Sequence, residues 1–253
     1  MKTAEFQAIY VMWLRQMKRF IRSKSRLVST VVQPLFFLLI LGGGFRVAIF
    51  EGVDDYLSFL APGIVTMAIL FSSMFTGISV LWDKQFGFLQ EVLVAPISRF
   101  SIIIGRTLGG ATVALIQGVI ILLISLGLGV KISGVFGLLL TLVFMILIAF
   151  TAVGFGLVIA SKMEDFQGFQ LIMSLLIMPL LFLSSAFFPV TANPTMKTIA
   201  IFNPLFYMVD GLRGSLVVGV ATVNHPLLDL LVVVVMCIIM MGAGSYLFSK
   251  SEV

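Results

Sequence analysis

Charged residues fall in clusters along this chain. Between them run six charge-free stretches of at least 19 residues, at 27–45, 56–82, 107–130, 132–161, 166–196 and 230–249. A charge at the centre of a bilayer is costly, and about 20 apolar residues of helix cross its hydrocarbon. The pattern therefore predicts six transmembrane helices, at residues 27–50, 56–82, 107–130, 134–161, 168–188 and 227–249. Their apolar runs are continuous, without the two-residue alternation of a barrel strand. The fifth stretch is too long and too punctuated for one simple crossing, and its helix is expected to break at Pro189. Residues 189–226 carry Pro194, Pro204 and Pro226 between apolar pieces too short to cross. They read as an outer-side re-entrant helical segment, with a surface loop as the alternative.

Composition supports lipid as the main solvent. The 253 residues are 60% hydrophobic and 11% charged, against about 25% charged in a soluble domain, and the mean hydropathy is +1.18. A soluble globular enzyme, a disordered chain and a fibrous chain are all excluded. The one cysteine, Cys237, leaves no intrachain disulfide, and the one histidine, His225, leaves no His-rich metal site. No metal-ligating or catalytic constellation is expected.

The placement of Lys and Arg predicts orientation. Seven lie in the N-terminal segment, and Lys84, Arg99, Arg106, Lys162 and Lys250 share its side in a six-span chain, making twelve. The other side has four, Arg46, Lys131, Lys197 and Arg213. The positive-inside rule then puts both termini in the cytoplasm of a multi-pass cell-membrane protein. The net charge of +5 follows from topology, so a nucleic-acid partner is not required. The basic stretch before the first span is too long for an ordinary signal peptide, so that span is expected to be retained.

Residues 1–26 predict an amphipathic interfacial helix. Phe6, Ile9, Tyr10, Trp13, Met17 and Phe20 recur at helical steps, beside a basic stripe of Arg15, Lys18, Arg19 and Arg22. Such a helix lies with its aromatics in the membrane and its cations toward lipid phosphates, with Tyr10 and Trp13 at headgroup depth. It serves as a topology anchor, as a grip for a cytoplasmic partner, or as both.

The loop at 83–106 mixes charge with apolar positions. Phe86, Leu89 and Leu93 share one helical face with Val92 beside them, Gly87 interrupts it and Pro96 ends it. This spacing predicts a short helix along the cytoplasmic surface, either a simple linker or a knob for another protein's groove.

Two segments carry a family resemblance. The run Gly87-Phe88-Leu89-Gln90-Glu91-Val92-Leu93-Val94-Ala95-Pro96-Ile97-Ser98-Arg99 resembles the signature of membrane subunits of type 2 ATP-binding-cassette (ABC) exporters, the drug-resistance permeases of the daunorubicin-exporter kind being most similar. The pattern N-P-L-x-Y-x-x-[DE]-x-x-R stands before the last span as Asn203-Pro204-Leu205-Phe206-Tyr207-Met208-Val209-Asp210-Gly211-Leu212-Arg213. The likeness runs over nearly the whole chain. It implies one all-α permease domain over 1–253, whose first cytoplasmic loop is a coupling helix docked on a separate ABC ATPase subunit. Phe86, Phe88, Leu89, Val92 and Leu93 would supply the apolar contact, with Gly87 and Pro96 in the same coupling segment, and Glu91 and Arg99 would supply charge to the ATPase or to each other. It further implies outer short helices forming a gate that includes Asn203, Pro204 and Tyr207, with Asp210 and Arg213, three apart, as a structural pair.

What is missing narrows the function. No G-x-x-x-x-G-K-[ST] occurs, so ATP and Mg are expected on the partner ATPase and no cofactor on this chain. No H-E-x-x-H or G-x-S-x-G occurs either. Ionisable residues are nearly missing from the spans, which disfavours a gradient-driven carrier. Asp229 is the exception, expected as an interfacial cap of the last span. Lys162, Glu164 and Asp165 are expected as solvated caps. Gly105 with Gly109, and Gly154 with Gly156, mark close helix contacts within the chain or between two copies. Gln33, Thr66, Ser72, Ser73, Thr76 and Gln117 are the polar atoms available to a path. Walls rich in Phe and Met suit an amphiphilic substrate such as a drug or lipid, and they suit plain lipid exposure equally. The expectation is a non-enzymatic permease, paired as a homodimer, that exports an amphiphile at the expense of ATP bound elsewhere. Its rivals are a non-transporting membrane scaffold or regulatory factor that anchors a cytoplasmic protein, and a secondary carrier.

Overall fold

The computed structural model describes residues 2–45, 53, 55–87, 97–220 and 222–250. Nine α-helices follow one another among them: α1 (Lys2–Arg22), α2 (Lys24–Gly44), α3 (Tyr56–Gln85), α4 (Arg99–Gly127), α5 (Gly134–Lys162), α6 (Phe166–Phe182), α7 (Pro194–Ile201), α8 (Pro204–Leu216) and α9 (Pro226–Lys250), with a short 3-10 turn at Val190–Ala192. No strand occurs among the described residues. An isolated antiparallel bridge joins Ile132 to Val217.

Five helices are long and apolar enough to cross a membrane, namely α2 from Leu27, α3, α4, α5 and α9. The segment of the fifth expected crossing, 168–188, holds a shorter apolar helix. Helix α6 has 17 residues, about 25 Å at the α-helical rise, and it ends at Phe182, well before Pro189. The break lies at Ser184 and Ser185 rather than at the proline. Ser184 Oγ turns back onto Leu181 O at 2.8 Å, and Ser185 takes a left-handed φ of 63°. Serine side chains compete with the helix for backbone groups in this way.

Other boundaries move for equally local reasons. Helix α4 starts at Arg99 instead of 107 because Ser98 caps it, accepting from Ser101 N at 3.1 Å. The predicted start of α3 at Tyr56 holds, with Asp55 accepting from Leu57 N at 3.2 Å. Asp165 caps α6 through Gly168 N at 2.5 Å, the role expected of it.

Consecutive long helices run alternately between two ends. At one end Gln85 Nε2 donates to Glu164 O at 3.0 Å, Trp82 stacks on Phe166 at 5.9 Å, and Arg99 Nη1 donates to Ser249 O at 2.6 Å. At the other, Tyr56 Oη donates to Phe187 O at 2.8 Å and Ser133 N to Leu216 O at 3.0 Å. The Lys- and Arg-rich segments meet at the first, here called the basic end.

Helix α3 is the axis, buried along most of its length. Glycines set how closely its neighbours approach. A Cβ on Gly77 would come 2.8 Å from Gly156 O, and one on Gly154 would come 2.8 Å from the backbone of Met240. Gly154 and Gly156 therefore pack α5 against α9 and α3 within the chain. The Gly105/Gly109 pair has an intrachain partner as well. Helix α1 lies across it, with Ile9 and Met12 on Gly105 and Trp13 and Gln16 on Gly109.

Candidate functional site

Helix α1 is bound to the bundle by specific polar contacts as well as by its apolar face. Trp13 Nε1 donates to Thr112 Oγ1 at 3.2 Å and Gln16 Nε2 to Ser79 Oγ at 3.1 Å. The expected face toward lipid is divided, since Phe6 and Tyr10 are exposed while Phe20 is buried. The basic stripe is divided too. Lys18 and Arg22 remain exposed, but Arg15 and Arg19 turn onto Asp83 at 2.5 and 3.2 Å. Arg106 of α4 reaches the same carboxylate at 2.6 Å. Asp83 is 2% exposed and Arg106 fully buried. One carboxylate thus ties α1, α3 and α4 together, and three guanidinium groups leave a local excess of positive charge. Sequence pattern could not find this centre, because its partners come from three distant segments and Asp83 reads only as a loop charge.

Glu5 secures the other end of α1. It accepts from Ser98 N at 3.1 Å, from Ser98 Oγ at 2.9 Å and from Ser101 Oγ. The Ser101 and Ser98 hydroxyls hold its carboxyl below the usual glutamate range. Since the folded pKa lies below the unfolded one, this contribution is complete above the ordinary glutamate range and is lost as pH falls through the folded value. The protection factors of the Ser98–Ser101 amides against hydrogen exchange are expected to fall on acidification in the native chain, and to be low and independent of pH over that window in Glu5→Gln.

Of the expected coupling residues, the structure describes three. Phe86 closes α3 at 82% exposure, Gly87 leaves the helix with φ 72°, and Arg99 spends one guanidinium nitrogen on the last turn of α9. A cation at a helix C-terminus is favourable there. Phe88, Leu89, Glu91, Val92, Leu93 and Pro96 lie outside the described residues.

At the opposite end α7 and α8 form a hairpin, and α8 is buried against α3, α5 and α9. Asn203 caps α8 through Leu205 N at 3.0 Å and donates to Leu180 O of α6 at 2.6 Å. Pro204 occupies the first helical turn, where no N–H is needed. Tyr207 Oη donates to Ile201 O at 2.9 Å, closing the hairpin. Asp210 and Arg213 approach only to 3.7 Å, and stronger partners hold each of them. Asp210 accepts from Val223 N and Asn224 N, both at 2.9 Å. Arg213 donates to Ser185 O at 2.6 Å and Phe59 O at 3.3 Å, and lies 3.8 Å over the Phe59 ring. Arg213 therefore ties α8 to α3 and to the turn after α6. Asp229, expected as an interfacial cap of the last span, is a fully buried side chain in the first turn of α9, accepting from Asn224 Nδ2 at 3.0 Å. It is covered because Gly211 lets the α8 backbone lie against it, with 2.9 Å from an added Cβ to Asp229 Cβ.

A cleft of about 320 Å³ opens between α2, α3 and α6. Ser29, Thr30, Gln33, Gln170 and Ser174 face it among Phe71, Met74, Phe75, Ile78, Phe166 and Met178. Of the polar residues expected along a path, only Gln33 borders this cleft. Thr66 and Ser73 bond back to Pro62 O and Ile69 O of their own helix at 2.9 and 2.7 Å. Gln117 donates to Thr30 across α4 and α2, and Thr76 packs on Gly110.

The sequence model of the family described as ABC-2 type transporter matches residues 7–217. The chain is 29% identical over 212 residues to a putative transport permease, ycf38, of Cyanophora paradoxa, covering 82% of this chain and 73% of that one. It is 27% identical to the inner membrane transport permease YadH of Escherichia coli K12, covering 81% of each. It is 28% identical to the daunorubicin resistance ABC transporter permease protein DrrB1 of Streptomyces coeruleorubidus, covering 83% of this chain and 75% of that one.

Proposed function

The chain belongs to the ABC-2 type transporter family, and we propose that it is the permease half of an exporter driven by a separate ABC ATPase, with an amphiphile as cargo. The family match over residues 7–217 carries this reading. The chain supplies no phosphate-cradling loop, so ATP and Mg belong to the partner subunit, which provides the energy of nucleotide binding and hydrolysis. The basic end is cytoplasmic, and there α3 ends at Gln85 and α4 begins at Arg99, at either side of the coupling segment within the 83–106 loop. A push on it reaches α3 directly and reaches α1 and α4 through Asp83. These three move as one body, because packed elements shift between discrete arrangements instead of deforming.

The cargo path is the cleft between α2, α3 and α6. Its neighbours α2 and α6 expose Val28, Phe36, Leu171 and Leu175, and a second copy presenting the same face closes the path as an isologous homodimer. The α7–α8 hairpin dips into the outer leaflet as a gate, braced by Arg213.

A pair of variants tests the coupling. Phe88→Ala with Glu91→Ala is expected to leave the chain folded and the partner's basal ATP turnover intact, while cargo flux in reconstituted vesicles falls at least tenfold. Unchanged flux per ATP would remove the loop from its role.

A further inference from the structure

We propose that the basic mouth of this cleft selects an amphiphile with an anionic, phosphate-class headgroup, drawn from the leaflet at the basic end. The proposal rests on the exporter reading above and narrows its cargo.

A second cavity of about 370 Å³ sits at the elbow between α1 and α2, lined by Arg19, Ser23, Ser25, Ser29, Phe75 and Trp82. Ser29 and Phe75 line the α2–α3–α6 cleft as well, so the two spaces adjoin. One is a mouth bearing a guanidinium group and serine side chains. The other is a longer body walled by Phe and Met.

Charge complementarity decides what fits the mouth. Asp83 is shared by Arg15, Arg19 and Arg106, which leaves two positive charges in excess. Arg19 donates to Asp83 through Nη2, while its Nη1 is shielded from solvent without a hydrogen-bond partner. Lys18 and Arg22 flank Arg19 on α1 and add to the positive field. Asp165, beside the Phe166 wall, is engaged at the start of α6. A protonated amine at this mouth meets like charge, and a headgroup without net charge leaves the positive excess of Arg15, Arg19 and Arg106 uncompensated. An anionic phosphate compensates it, since guanidinium and phosphate form strong charge-assisted bonds. The acyl portion then lies along Phe71, Met74 and Met178, surfaces that adapt to varied chains.

Trp82 at the mouth is a built-in reporter, and Trp13→Phe makes it the only tryptophan. The full chain is placed in phosphatidylcholine vesicles, without ATP or ATPase, and phosphatidylglycerol with brominated acyl chains is titrated in. Quenching of Trp82 is expected to saturate at a low mole fraction of the anionic lipid, and brominated phosphatidylcholine is expected to need at least tenfold more. Arg19→Gln should raise the half-quenching fraction about tenfold, the loss of one charged hydrogen bond, and Arg19→Lys should retain most of the preference. Ser25→Leu, which narrows the mouth without touching Asp83, should also abolish saturation. Equal quenching by the two lipids, or an unaltered curve in both Arg19→Gln and Ser25→Leu, overturns the proposal. Displacement by millimolar inorganic phosphate also overturns it, because the site would then serve a free anion. ATP-driven flux is measured separately. Its absence with the lipid preference intact sinks the exporter reading alone, and its presence without the preference sinks only this one.

Discussion

Asp83→Asn is expected to destabilise the bundle by about 3–5 kcal/mol, the cost of removing one partner from a buried ion pair. The effect is large because Arg106 is wholly buried and its guanidinium would lose the carboxylate it meets at 2.6 Å. Arg15 and Arg19 can turn to water or lipid phosphate, so they contribute to the loss mainly by releasing α1. Thermal unfolding in a fixed detergent should show a markedly lower midpoint, and trypsin should cut after Arg15 and Arg19 in the folded variant but not in the native chain. Asp83→Leu combined with Arg106→Met should recover most of the midpoint, because replacing a whole buried pair by apolar groups is often neutral or better. A single Asp83→Asn variant with native midpoint and native protease resistance would show that the carboxylate does not hold these helices together.

The second large effect is expected at the opposite end, from the smallest change available. A Cβ on Gly63 would stand 2.3 Å from Ala186 O and 2.8 Å from Ala186 Cα. Both are backbone atoms, so no rotamer relieves the clash and α3 or the turn after α6 must move. Overpacking costs about 1–3 kcal/mol where side chains can yield, and Gly63→Ala is expected at or above the top of that range. Its consequence is specific. The displaced turn carries Ser185, whose carbonyl accepts from Arg213 at 2.6 Å, so α8 loses one of its ties to the bundle. Hydrogen exchange should quicken through Leu183–Phe188 and α8 while α1 and α4 stay protected. Gly43→Ala, where nothing lies within 4 Å of an added Cβ, is the control and should move the midpoint little.

The long helices were legible because each is written locally, as an apolar run between charges. The short ones show where that reading stops. The segment of α6 reads as helix to Pro189 because its residues remain apolar, but one serine hydroxyl, of Ser184, and the left-handed Ser185 end it sooner. Helix α4 looked shorter than it is because Arg106 read as a boundary, and only the fold supplies the Asp83 that lets this charge lie inside a helix. Residues 1–26 read as an amphipathic helix, and α1 runs from Lys2 to Arg22. Yet periodicity reports only that a face is apolar, and it does not distinguish lipid from the glycine-lined surface of α4 that part of that face meets. The Asp210–Arg213 pairing was anticipated from spacing alone, whereas the backbone carbonyls of Phe59 and Ser185 that hold Arg213 were invisible to any local pattern. The coupling role of the 83–106 loop rests on likeness of sequence, and residues 88–96 lie outside the described residues.

The central claim is that another protein's ATPase drives this chain through that loop. It is tested most directly by a single cysteine in place of Phe88, in a Cys237→Ser background, crosslinked in native membranes and followed through a nucleotide cycle. The account predicts a covalent product with an ABC ATPase whose yield changes between the ATP-bound and nucleotide-free states. Crosslinking that never captures an ATPase, in a chain that still exports its cargo, would contradict it.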